Sequence, residues 1–228
     1  MTIYFEEKIQ KKISNTVECL ISDTPIDYLE AVNFMEERVK SIRSGNEFEL
    51  VWLLEHPPIY TAGTSSKEIE LLDKSRFPVY QSGRGGRYTY HGPGQRIVYV
   101  ILDLSKRGND IRKFVRSLEK WIILTLDCFN IIGKVHSDRI GIWVKQKSIN
   151  DHRSIEKKIA AIGVRVRKSV TFHGFAININ PNLEHFSGII PCGIEQHGVT
   201  SFLDMGLTTT VAEVDSALLN TFDDIFED

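Results

Sequence analysis

Lys158-Ile159-Ala160-Ala161-Ile162-Gly163-Val164-Arg165-Val166-Arg167 and, after Lys168-Ser169-Val170, Thr171-Phe172-His173-Gly174-Phe175-Ala176-Ile177-Asn178-Ile179 read as two strands in close succession. Both are rich in β-branched and aromatic residues, which suit a pleated surface. Working outward, Ile140 to Lys145, Arg96 to Leu104 and Phe48 to Leu54 carry the same signature, and His56-Pro57-Pro58 stops the last of them. Helical spacing lies between. Thr24-Pro25-Ile26-Asp27 opens a helix, with Thr24 as cap, Pro25 in the first turn and Asp27 at capping-box spacing. Tyr28, Leu29, Val32, Met35, Val39 and Ile42 then recur on one face, and Gly45 closes it. Asp110 opens a second helix, with Ile111, Phe114, Val115, Leu118 and Ile122 on one face, running to about Phe129. A third covers Thr210 to Phe222. Strands interspersed with three helices predict an α/β (α+β) fold, a mixed β-sheet flanked by helices. No repeat or linker divides the chain, so residues 1–228 read as a single domain.

Composition agrees. The chain has 228 residues, 42% hydrophobic and 25% charged, values of an ordinary globular protein rather than a disordered, collagen-like or coiled-coil one. A net charge of −2 argues against a general nucleic-acid binder. The apolar runs around Ile97–Leu104 and Trp121–Leu126 fall far short of the ~20 residues a membrane span needs. The early carboxylates Glu6 and Glu7 do not fit a secretory signal peptide. A cytoplasmic protein is expected. Cys19, Cys128 and Cys192 are odd in number and form no Cys-x-x-Cys pair, so reduced thiols are expected and no metal site. Charge is uneven: Lys134 to Lys168 carries ten basic and three acidic residues, whereas Glu195 to Asp228 carries eight acidic residues and no Lys or Arg. Two readings stand, a pair of solvated faces or a basic patch that docks an acidic partner.

The stretch Ser82-Gly83-Arg84-Gly85-Gly86-Arg87-Tyr88-Thr89-Tyr90-His91-Gly92-Pro93-Gly94-Gln95 is the most unusual in the chain. Its glycines let backbone approach a ligand, and its N–H groups can cradle an oxyanion. The plainer reading is a long surface turn before the Arg96 strand. The spacing fits neither a Walker A loop nor a dinucleotide fingerprint.

Strand side chains alternate faces. Lys158, Ala160, Ile162, Val164 and Val166 share one parity; Ile159, Ala161, Gly163, Arg165 and Arg167 share the other. The alternation therefore puts Lys158 with the apolar residues. Such a lysine either needs a partner or a function, because burial penalises its charge, or it snorkels to water from a fraying strand end. Cys192 sits in Ile189-Ile190-Pro191-Cys192-Gly193-Ile194, where Pro191 and Gly193 mark a turn. A thiol on a turn is reachable, so Cys192 is the best candidate nucleophile; Cys19 and Cys128 read as small buried hydrophobes. His173 shares the parity of Phe175, Ile177 and Ile179 and reads as a core histidine; His56 precedes two prolines in a loop.

These motifs together resemble the octanoyltransferases, the lipoate–protein ligase B family. The resemblance rests on Glu55-His56-Pro57-Pro58, Tyr60-Thr61-Ala62-Gly63, Arg84-Gly85-Gly86, Thr89 to Gln95, Lys158 to Gly163, His173-Gly174-Phe175-Ala176 and Pro191-Cys192-Gly193-Ile194, within about residues 48–204. It implies the fold shared by lipoate and biotin ligases and no cofactor. It implies an acyltransferase of lipoate biosynthesis that moves octanoyl from acyl carrier protein to a lysine of lipoyl domains, those of 2-oxoacid dehydrogenases or the glycine cleavage H protein. It also implies Cys192 as the thioester nucleophile and Lys158 as the group that lowers its pKa or moves its proton. Acyl contacts are implied at Arg84, Gly85, Gly86, Arg87, Tyr88, Thr89, Tyr90, His91, Ala161, Ile162, Gly163, Gly174, Phe175 and Ala176. Arg87 departs from the family's uncharged residue, and Lys145 to Glu156 is longer and more polar than its usual turn. Acyl carrier proteins being acidic, Arg165, Arg167 or Lys168 is expected near the acyl site's mouth. Competing readings are an ATP-dependent lipoate or biotin ligase on the same fold, a lipoyl-domain amidotransferase, a cysteine hydrolase and a non-catalytic lipoyl-domain binder.

Overall fold

The computed structural model describes residues 8–14, 16–147, 154–190 and 198–226. An eight-stranded sheet runs through it. Its strands are β1 (Lys8–Lys12), β2 (Val17–Ser22), β3 (Glu49–Leu54), β7 (Gln95–Ile101), β8 (Gly133–Lys134), β9 (Ile142–Lys147), β10 (Ser154–Arg167) and β11 (Val170–Asn178). The spatial order is β1-β2-β3-β7-β11-β10-β9-β8. Among the described residues of this sheet, only β2 and β3 pair in parallel. A parallel pair needs a crossover, and helix α1 (Tyr28–Arg43) supplies it. A second, three-stranded sheet has the order β5 (Val79–Gln81), β4 (Ile59–Ala62), β6 (Tyr88–His91).

The central strands β3, β7 and β11 are buried along their whole length, so both faces of the large sheet must be covered. On one face α2 (Ile111–Asp127) and α3 (Val211–Phe226) pack Phe114, Leu118, Trp121, Leu218 and Phe222 onto Val51, Val98, Phe175 and Ile177. On the other, α1 packs Ala31, Met35 and Val39 onto Leu50, Trp52, Ile97 and Tyr99. The small sheet has a core of its own from Tyr60, Tyr88, Tyr90, Phe186 and Ile189. The mixed sheet flanked by helices is the expected class.

Several boundaries moved. Asp27, not Thr24, caps α1: its carboxylate accepts from Leu29 N and Glu30 N at 2.8 and 3.2 Å. Ile26 N donates to Glu55 O, which holds the chain before Asp27 outside the helix. Gly45, at φ 73°, follows the helix end as expected. Strand β10 begins at Ser154, ahead of the predicted Lys158. The glycine-rich stretch is not loop throughout, since Tyr88–His91 pairs antiparallel with Ile59–Ala62. Cys19 is buried, but Cys128 is exposed, because it follows α2 as its C-cap and not on the helix's inner face.

One buried ion pair ties α3 to the sheet. Arg96 on β7 donates Nε and Nη2 to Asp215 of α3 at 2.7 and 2.6 Å, and Nη1 to Ser22 O at 3.1 Å. Removing one member of such a pair leaves a buried charge uncompensated, at a cost of about 3–5 kcal/mol. Asp215→Ala is expected to lower unfolding stability by that order in urea denaturation. A loss under about 1 kcal/mol would show that Arg96 finds water or another acceptor.

Candidate active site

A cavity of about 480 Å³ opens between the two sheets, a size typical of small-ligand sites. One wall is the turn before β6, with Arg84, Gly85, Gly86 and Arg87, continued by Thr89 and His91 of that strand. The opposite wall is β10 and β11, with Lys158, Ala161, Ile162, Gly163, Gly174, Phe175 and Ala176. Tyr28, Ile97 and Tyr99 close it from below, and Arg139 and Ile140 stand at its other side. The predicted contact residues thus converge on one space, except Tyr88 and Tyr90. Those two take the opposite face of β6 and pack into the small sheet's own core.

The turn carrying Arg84 packs against glycines of neighbouring segments. A Cβ on Gly163 would stand 2.9 Å from Arg84 Cδ, and one on Gly63 would run into the Gly86 carbonyl. Arg84 is buried and its guanidinium is spent on the scaffold. Nη2 donates to Thr61 O and Oγ1 at 2.8 and 2.7 Å, and Nη1 to Gly85 O at 3.0 Å. It pins the glycine turn to β4. Arg87 pairs with the buried carboxylate of Glu70.

Lys158 reaches the cavity by an irregularity. Lys158 stands opposite Trp143 on β9, but the next paired residue, Ala160, stands opposite Ile142. Ile159 is the extra residue of a β-bulge, which breaks the alternation. Ile159 and Ala160 therefore both enter the core under α2 and α3, and Lys158 joins Ala161 and Gly163 at the cavity. This corrects the simple parity, which put Lys158 with Ala160, Ile162 and Val164. Lys158 is 5% exposed, so it does not snorkel from a fraying end. Among the described residues its Nζ has no hydrogen-bond partner, and it lies 4.8 Å from the Trp143 ring centroid.

Cys192, in the segment 191–197, lies outside the described residues, as do Pro191, Gly193, Ile194 and His197. Both ends of that segment are tied to the site. Ile190 N donates to Glu70 O at 2.8 Å. On the far side Lys158 N donates to Gly198 O at 3.0 Å and Lys158 O accepts from Thr200 N at 2.9 Å.

His173 departs from its expected parity. Its φ of 61° lies in the left-handed region, and the ring turns onto Tyr99 at the cavity instead of joining Phe175 and Ile177 beneath α2. His56 is buried behind the cavity, with Nδ1 at 2.6 Å from Ile26 O and Nε2 at 2.6 Å from Tyr99 Oη. Since a carbonyl only accepts, His56 Nδ1 carries the proton and Tyr99 donates to Nε2. Burial lowers His56 to about 4. Burial, with the Arg84 and Arg165 charges, lowers His173 to about 3. Burial also holds His91 well below its usual value. Two neutral imidazoles, His91 and His173, therefore line the cavity, with a third, His56, behind it. Tyr28, Tyr99 and Ile97 carried no sequence signal for this role, being one helical and two strand positions that only the tertiary fold brings together.

The basic segment divides. Arg167 and Lys168 line a separate groove with Lys40 and Arg43 of α1, whereas Arg165 lies over Phe172 and packs against Gly83 of the glycine turn, with its charge felt at the cavity-lining His173. The basic residues that line the cavity are Arg84, Arg87, Arg139 and Lys158, and Arg139 is paired with Glu156.

Residues 27–223 match the lipoyl protein ligase A/B catalytic domain, the class that this fold and cavity define. Octanoyltransferases of Paramagnetospirillum magneticum and Brucella suis are 57% and 55% identical to the chain; each alignment covers 92% of it, with 97% and 80% of the relatives. Two solved structures share the fold at lower identity. A lipoate-protein ligase A bound with ATP superposes with TM-score 0.65 at 19% identity, covering 91% of this chain and 84% of that one. A Thermoplasma acidophilum lipoate protein ligase with bound lipoic acid gives 0.64 at 18%, with the same coverages. Within that class the chain belongs to the octanoyltransferase family.

The buried histidines make stability acid-sensitive. An unfolded imidazole takes up its proton near pH 6.5, whereas His56 and His173 do so only at about 4 and 3. Between those values the unfolded state binds more protons, so their contribution is complete above about pH 6.5 and is lost as pH falls toward 4. The His56 share is on the order of 3 kcal/mol. Urea midpoints are expected to fall from pH 7 to 4.5, and less steeply in His173→Asn, where asparagine tolerates the positive φ. Equal slopes in the two proteins would contradict the assignment for His173.

Proposed function

We propose that the protein takes octanoyl from acyl carrier protein, holds it as a thioester on Cys192, and passes it to the lysine of a lipoyl domain in lipoate biosynthesis. The observation that carries this reading is Lys158: a buried amine without a hydrogen-bond partner among the described residues, facing a cavity walled by Ala161, Gly163, Phe175 and Ala176. Its own backbone pairs with Gly198 and Thr200, just beyond the segment that carries Cys192. The small residues leave room for an aliphatic chain, and each methylene buried there contributes about 0.8 kcal/mol.

Two acyl transfers follow. The Cys192 thiol gives up its proton to the Lys158 amine, and the thiolate attacks the donor carbonyl. The bond from that carbon to the carrier sulfur breaks, and the carrier thiolate leaves with a proton from Lys158. In the second step the acceptor amine attacks the acyl-enzyme carbonyl, the bond to Cys192 Sγ breaks, and the proton lost by the amine passes through Lys158 to the sulfur. One thioester is exchanged for another and then for an amide, so no ATP is consumed. The neutral histidines around the cavity have no part in these proton transfers; they keep its floor uncharged for an alkyl chain. Backbone N–H groups around Gly163 or Gly174 are the candidate oxyanion donors. The whole chain works as one catalytic domain. The acceptors are lipoyl domains of 2-oxoacid dehydrogenases or the glycine cleavage H protein. The cytosol fits reduced thiols at Cys19 and Cys128, and among the described residues no helix is long and apolar enough to cross a membrane.

Intact-protein mass spectrometry after mixing with octanoyl–acyl carrier protein, without ATP, tests the intermediate. One octanoyl adduct, removed by hydroxylamine, is expected on the wild type and none on Cys192→Ser. Activity that appears only with ATP and free acid, and survives Cys192→Ser, would make the protein an adenylating ligase instead.

A further inference from the structure

Lys158 raises a question that the cavity does not answer. Its ammonium form is buried, and among the described residues neither a carboxylate nor a hydrogen-bond acceptor meets its Nζ. A lysine stem is flexible and strongly hydrated at its tip, so something must keep Nζ at the cavity wall. The groups packed around it are few. Trp143, its direct partner across β9 and β10, presents its ring at 4.8 Å from Nζ, within cation–π range. Gly141, at φ 122°, leaves a slot for the stem, since a Cβ there would stand 3.1 Å from Lys158 Cε and 2.8 Å from Ala160 O. Arg139 also lies over the Trp143 ring, at 4.2 Å, but its charge is met by Glu156, which His136 approaches as well. Among the described residues Lys158 has no such carboxylate.

We propose that Trp143 is the positioning residue for Lys158: its ring face holds the ammonium at the cavity wall and fixes where the proton is given and taken. The proposal rests on Lys158 acting in the transfer. Trp143 is buried, sits behind the lysine and does not line the cavity, so it affects proton transfer and not the binding of the acyl chain. The β-bulge at Ile159 and the Lys158–Trp143 register are one device. The bulge turns the lysine out of the core, and the ring receives it.

The test replaces Trp143 site-specifically by mono-, di- and trifluorinated tryptophan. Fluorine drains negative charge from the ring face while nearly keeping its shape. Octanoyl transfer to a lipoyl domain is measured alongside Lys158→Met, Trp143→Phe and Trp143→Leu. The expected result is a stepwise fall in kcat with each fluorine, about tenfold across the series, with KM for octanoyl–acyl carrier protein and the melting temperature unchanged. Trp143→Phe is expected to keep most of the activity and Trp143→Leu to lose about tenfold. A kcat that stays level across the fluorinated series, while Lys158→Met is inactive, would overturn the proposal and leave Trp143 as packing. An active Lys158→Met would overturn the underlying reading of the lysine, and the proposal with it.

Discussion

The site depends on one local constraint, the extra residue in β10. With Lys158 opposite Trp143 and simple alternation broken by the bulge at Ile159, Ile159 and Ala160 can both fill the core while Lys158 faces the cavity.

 In an unbroken strand the amine would lie under α2 and α3 among apolar side chains, where its charge has no compensation. The bulge lets one strand serve two masters, a dry core on one side and a reactive group on the other. Around it, the rest of the cavity is built by subtraction. Ala161, Gly163 and Ala176 carry little or no side chain at the place where the two sheets face each other, and close-packed interiors leave such space only where side chains are missing.

The scaffold that holds this space is rigid for reasons independent of chemistry. Strands β3, β7 and β11 are buried on both faces, and α3 is fastened to β7 through the Arg96–Asp215 pair. On the cavity side Arg84 fastens the glycine turn to β4, and Glu70 gathers three neighbours. Its carboxylate takes Arg87 and Lys67 N, and its carbonyl takes Ile190 N. Arg87, the charged residue that departs from the family pattern, thus has a structural use: it neutralises a buried carboxylate at the edge of the site.

Much of the frame was legible in the sequence, and the failures have physical causes. The three helices followed from their periodicity, and the central strands from β-branched runs such as Arg96 to Leu104. Strands β4, β5 and β6 leave no local pattern in the sequence, because they are short and stabilised by pairing between distant segments. The spacing at Thr24 suits a capping box, but the pairing of Ile26 N with Glu55 O decides for Asp27 as the cap. The cavity-lining motifs were legible as a set from their family resemblance, whereas the face of Lys158 was not, because a bulge is invisible to period-2 counting. His173 failed similarly, through a positive φ that alternation does not foresee.

The central claim is that Lys158, turned into the cavity by the bulge, activates the Cys192 thiol. It is tested most directly by the pH dependence of Cys192 alkylation, measured with iodoacetamide in a Cys128→Ser background, since Cys128 is exposed and Cys19 is buried. The account predicts that Lys158→Met moves the alkylation profile toward the ordinary thiol range near pH 8.5 by about one unit or more. Superimposable profiles with and without the lysine amine would contradict it.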